Sequence, residues 1–196
     1  AGRVGTDAHR QLAREVGARS ITLVRDAQNL VPLRPGARVL HVTYTESGRG
    51  ASGGPFNGAL ASGGVSVDHV RVGPSTSAAT FASLRERAAS ADVVVASIVV
   101  SPVQYRPLGI GGGFGAWVEG LAASGKPVVA VSLGSPYLLG SFPSVPAYLL
   151  GWSNAGASES AAARALLGAA PIRGRLPVAL PPYHRVGEGI TREARN

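Results

Sequence analysis

Two short, uninterrupted apolar runs near the C-terminal end constrain the fold more than any other feature. Val128 to Val131 stops at Ser132-Leu133-Gly134-Ser135-Pro136, and Ala147 to Leu150 stops at Gly151-Trp152-Ser153-Asn154. Runs this short, rich in β-branched residues and bounded by Gly, Pro and Ser, read as strands, and the lack of polar alternation predicts burial on both faces, as in a parallel sheet. Between Ala155 and Gly168 the period turns helical. Ser158 is the expected N-cap, and Glu159 falls in the first turn, where a negative charge suits the helix dipole.

The same alternation runs upstream. Arg38 to Thr45, Val67 to Val72 and Asp92 to Val100 read as strands, with helices expected over Asp7 to Arg19, Thr76 to Ser90 and Phe114 to Ala123. On the first helix, Ala8, Leu12, Val16 and Ala18 can share a face. Pro102, Pro107 and Gly111-Gly112-Gly113 forbid a regular element between Ser101 and Gly115, and the aperiodic tail from Pro181 is expected to run over the surface. Right-handed βαβ crossovers wind such a series into a three-layer α/β/α sandwich with a mostly parallel sheet of five or six strands.

A family resemblance rests on order and spacing. The strand, Gly134-Ser135-Pro136-Tyr137, Phe142-Pro143, Ala147-Tyr148-Leu149, Ser158-Glu159, Ala161 to Leu166, Pro171-Ile172 and Gly174-Arg175-Leu176-Pro177-Val178 follow one another. Together they closely resemble the C-terminal domain of glycoside hydrolase family 3, in particular the two-domain β-N-acetylhexosaminidase branch. Ser20 to Asp26 and Leu30 to Leu33 are similar to the family's lead-in to this domain. The resemblance implies a linker helix over 1–20 and the domain proper over 21–196. It also implies that the nucleophilic aspartate and acid/base histidine lie on an N-terminal (β/α)8 barrel. This chain carries neither the Lys-His-Phe-Pro-Gly-His nor the Ser-Asp motif of that barrel. The expectation is an accessory domain, not catalytic for glycosides alone, whose partner is the barrel or a second copy and whose ligand, if any, is a carbohydrate. Some β-glucosidase members draw an acid/base glutamate from this domain; Glu46 and Glu159 match by residue type only.

Composition closes other classes. The chain has 196 residues, 45% of them hydrophobic, enough for one buried core, and no apolar run nears the roughly 20 residues that span a bilayer. The net charge is +8, with Lys126 the only lysine, but the arginines are scattered rather than striped with aromatics, so neither nucleic acid nor a membrane is expected as partner. Without cysteine there is no disulfide or thiolate metal site, and His9, His41, His69 and His184 are too dispersed for a metal. No cofactor is expected, because the glycine runs 48–50 and 109–113 fit neither phosphate-binding pattern. Ala1 to Gly5 lack the features of a signal peptide. The compartment stays open, a secreted or periplasmic bacterial parent included.

Ligands of open parallel sheets lie beyond the carboxyl ends of the strands. On this sequence that rim comprises Glu46 and Ser47, Ser101 and Gln104, Ser135, and Trp152 with Asn154, all candidate substrate-binding residues, alongside Tyr44, Ser132 and Ser153. The plainer role for such Ser, Asn and Gly residues is to end strands and cap helices. A second reading is a free-standing hydrolase of activated esters or phosphoesters. Gly50-Ala51-Ser52-Gly53-Gly54 matches G-x-S-x-G, so Ser52 or Ser135 would attack with His184 as base, although the distance from strand end to Ser52 loosens the elbow. An accessory domain is also expected to expose an apolar patch for its partner, with Leu108, Ile110 and Phe114 as candidates.

Overall fold

The computed structural model describes residues 5–46, 53–102 and 108–195. Six strands form one sheet: β1 (Thr22–Asp26), β2 (Arg38–Thr45), β3 (Ser66–Val72), β4 (Val93–Val99), β5 (Val128–Ser132) and β6 (Ala147–Leu150), in the order β1-β6-β5-β4-β2-β3. All neighbours are parallel except the edge strand β1, which runs antiparallel to β6. Among the described residues the helices are α1 (Asp7–Ser20), α2 (Gly54–Ala61), α3 (Ala78–Ser90), α4 (Phe114–Ala123) and α5 (Gly156–Leu166), with a 3-10 turn over Pro136–Ser141.

Alternation along each strand sorts side chains into two cores. Leu40, Val42 and Tyr44 of β2 join Val94, Ala96 and Ile98 of β4 under Phe81 and Leu84 of α3 and Trp117 of α4. Val39, Val93, Val95, Val129 and Val131 face the other way, under Phe56 and Leu60 of α2 and Ala162 and Leu166 of α5. Three layers result. Because β3 lies on one side of β2 and β4 on the other, the strand order reverses between β2 and β4, which makes their carboxyl ends the switch point where such folds open a crevice.

Helix α1 begins where Thr6 Oγ1 accepts from the His9 amide at 3.3 Å. It approaches α5 at Gly17, where a Cβ would stand 3.3 Å from the Ala157 carbonyl oxygen. Only Gly17 is buried, so the expected apolar face is mostly uncovered: Leu12 and Val16 are each 59% exposed. Helix α5 starts at Gly156 with Ala155 as its N-cap and no side-chain cap bond, which corrects the expectation for Ser158; instead Ser153 Oγ accepts from the Ala155 amide at 3.1 Å. No helix among the described residues is long and apolar enough to cross a membrane.

The tail does more than run over the surface. Ile190 bridges to Leu23, and Arg192 bridges to Ile172. Arg192 also pairs at 2.8 Å with Asp26, whose side chain is wholly buried and accepts from the Leu30 amide at 2.7 Å. Arg195 donates to the carbonyls of Leu33 at 2.6 Å and Pro32 at 2.8 Å. Aperiodic sequence hides these contacts, because each is a single long-range bond. Asp26→Ala removes the acceptor for a guanidinium and a backbone amide together. It should cost about 3 kcal/mol, the low end for breaking a buried pair since Arg192 still reaches water, measured by urea unfolding at neutral pH.

Candidate functional site at the strand ends

The rim residues meet different fates. Glu46, Ser101 and Asn154 stand exposed at the ends of β2, β4 and β6. Ser135 is buried, and its hydroxyl oxygen accepts from the Tyr137 amide at 3.3 Å as the cap of the 3-10 turn. Its amide donates to the Val100 carbonyl at 2.9 Å, and its carbonyl accepts from Ser132 Oγ at 2.5 Å, so this serine welds the end of β5 to that of β4. Trp152 takes a left-handed backbone (φ +63°), and its indole Nε1 donates to Ser20 O at 2.9 Å and Thr22 Oγ1 at 3.2 Å, pinning the ring between α1 and β1. Tyr44 accepts from the Gly111 amide at 2.8 Å, and burial pushes its hydroxyl pKa up. Ser47, Ser52 and Gln104 lie outside the described residues.

His184 contacts Glu188 Oε2 through Nδ1 at 3.0 Å, and this bond holds the Glu188 carboxyl below the usual carboxylate range. No hydrogen bond joins His184 to Ser135. Among the described residues, the serine and histidine within hydrogen-bond reach of each other are Ser97 and His41, at 2.8 Å, with Asn57 Oδ1 3.2 Å from the other ring nitrogen. The spacing mimics nucleophile, base and orienting group, but His41 and Ser97 have no solvent exposure. Burial first, and then the neighbouring His69, lower the His41 pKa to about 3. The cluster is a satisfied polar knot inside the sheet rather than a site open to substrate.

Glu159 caps the N-terminus of α2. In doubly wound folds the helix following the switch-point strand offers its N-terminal amides to anions. Here that helix is α2, and the buried Glu159 carboxylate accepts from Gly53 N at 2.9 Å and Phe56 N at 3.3 Å. The glutamate thus serves a second helix as well as the first turn of its own. Of the apolar patch expected from sequence, Leu108 is exposed, Ile110 packs half-buried on the core and Phe114 is wholly buried within it. No group of three His, Cys, Asp or Glu among the described residues is placed to hold a metal ion.

This six-stranded architecture, with its antiparallel first strand, can be set beside known proteins. The model of the glycosyl hydrolase family 3 C-terminal domain matches residues 21–190, nearly the whole chain. The chain belongs to that family. It is similar in fold to a family 3 β-N-acetylglucosaminidase from Paenibacillus sp. str. FPU-7 (TM-score 0.71, 22% identity, covering 87% of this chain and 32% of that one). A fungal multi-domain family 3 β-N-acetylglucosaminidase is also similar (TM-score 0.73, 20% identity, 93% and 20% covered). So is a β-glucosidase from Listeria innocua in complex with isofagomine (TM-score 0.74, 19% identity, 91% and 28% covered). No curated protein matches the chain in sequence. This family 3 domain spans about a third or less of the length of these solved chains.

Two features of the domain escaped the sequence: the polar knot, whose Thr43, Ser97 and His41 look like ordinary strand residues, and the bond from Glu159 to a helix more than a hundred positions away. The only hint of the knot is the polar residues interrupting otherwise apolar strands. Glu159→Ala should destabilise the domain by about 3 kcal/mol, since it orphans two buried amides, while Glu159→Gln retains one acceptor oxygen and should lose about half as much, both read from urea midpoints.

Proposed function

We propose that this family 3 C-terminal domain is an accessory domain that is not catalytic for glycosides alone and works beside a (β/α)8 barrel. The carrying observation is the strand-end rim. Glycoside cleavage by the common two-carboxylate route needs a pair of carboxyl groups flanking one bond, and Glu46 is the single carboxylate among the described residues that directly follow the parallel strands. The β-N-acetylhexosaminidase branch is the reading we favour for the parent, supported by the sequence resemblance and by the two β-N-acetylglucosaminidases of similar fold. Exposed Glu46, Ser101 and Asn154 would then border the barrel's cleft and meet the sugar from one side.

In this proposal the linker over residues 1–20 provides the contact through α1. Leu12, Val16 and Trp152 line an open groove of about 530 Å³ between α1, the end of β6 and the start of α5. The family model begins at residue 21, immediately after α1. This apolar groove is the seat we assign to the barrel. Leu12→Asp combined with Val16→Asp alters exposed side chains, so the fold should persist while affinity for the cognate barrel, measured by calorimetry, falls at least about tenfold. Unchanged affinity would move the interface elsewhere.

A further inference from the structure

We propose that the stacked His41 and His69 rings form an acid-sensitive fastening that holds α2 to the sheet beside the switch point at neutral pH and loosens it as the pH falls. The two residues are directly paired across β2 and β3, with ring centroids 4.5 Å apart and planes 16° from parallel. Both Nε2 atoms converge on Thr43 Oγ1, at 3.2 Å from His41 and 3.0 Å from His69. Ser97 of β4 donates to the same oxygen at 3.0 Å. From α2, Asn57 contacts His41 Nδ1 at 3.2 Å and Phe56 packs on the ring at 4.9 Å. Gly53 lies so close above Thr43 that a Cβ there would stand 2.7 Å from the hydroxyl oxygen. One cluster therefore ties three strands to one helix.

The charges around the pair oppose protonation. Arg71, two residues after His69 and on the same face of β3, acts on both rings as a second cation. Asp68 favours the charged form of His69, but it is turned to the opposite face, where Arg87 of α3 holds it. Asn57, Phe56 and Ser97 are neutral, and Glu159 of α5 is engaged by the amides of Gly53 and Phe56. Desolvation is the largest cause lowering both histidines; with the charges of His69 and Arg71 added it takes His41 to about 3, and the half-buried His69 moves in the same direction.

The sign follows from linkage. Above about pH 6.5 both rings are neutral whether α2 is docked or open, so opening is insensitive to pH. Below that value an opened histidine takes up a proton that the docked one refuses, and the opening equilibrium grows about tenfold per pH unit for each ring released. The gain for His41 continues down to its docked value of about 3.

Amide hydrogen exchange of the 196-residue chain between about pH 7.5 and pH 5, corrected for intrinsic rates, tests the fastening. Opening of α2 should rise at least about tenfold between pH 6 and pH 5, while α3 and α4 on the other face hold their protection. In His69→Gln, which keeps an amide for Thr43 but cannot titrate, the dependence should become shallower. A pH-independent α2, helices that open together on both faces, or an unaltered slope in His69→Gln would each overturn the proposal.

Discussion

Burial of β4 and β5 on both faces is the constraint on which the rest depends. Val93 to Ile98 and Val128 to Ser132 offer water almost nothing, so each face needs a covering layer and every backbone group must find a neighbouring strand. Parallel pairing answers the second need, and the helical crossovers it requires answer the first. The three layers follow from that pair of demands, and within them the strand order β1-β6-β5-β4-β2-β3 puts the switch point between β2 and β4.

Polar groups inside such a fold are tolerable only when paired, and here the pairings fix how the elements sit on one another. Asp26 gathers the turn after β1 and the tail through Arg192. Glu159 joins α5 to α2. His41, Thr43 and Ser97 bind three strands to α2. The same economy governs the strand ends, where Ser135 and Trp152 spend their polar atoms on the protein's own backbone. Among the described residues, Glu46, Ser75, Ser101 and Asn154 are polar side chains left exposed there. On α1, Leu12 and Val16 stay largely uncovered.

The layers and most helix and strand limits were legible because they depend on local periodicity. Val128 to Ser132 and Ala147 to Leu150 were expected as buried strands and are so. Family membership was legible for a related reason: the order of Gly, Pro and Ala-rich segments survives as a pattern along the chain. Partnerships across the sequence were not. Nothing local to Glu159 points to Gly53, Ser158 looks like a cap until Ala155 proves to be one, and Phe114 resembles surface until α4 turns it into the core. Leu12 and Val16, which the helical period places on one face of α1, are largely bare in this domain.

Turnover of a chromogenic N-acetylglucosaminide by the purified chain, with and without its cognate barrel, addresses the accessory role most directly. The chain alone should give no turnover, and both parts together should turn over faster than the barrel alone. Turnover that co-purifies with the isolated chain and is lost in Glu46→Gln would contradict it and place a catalytic group in this domain.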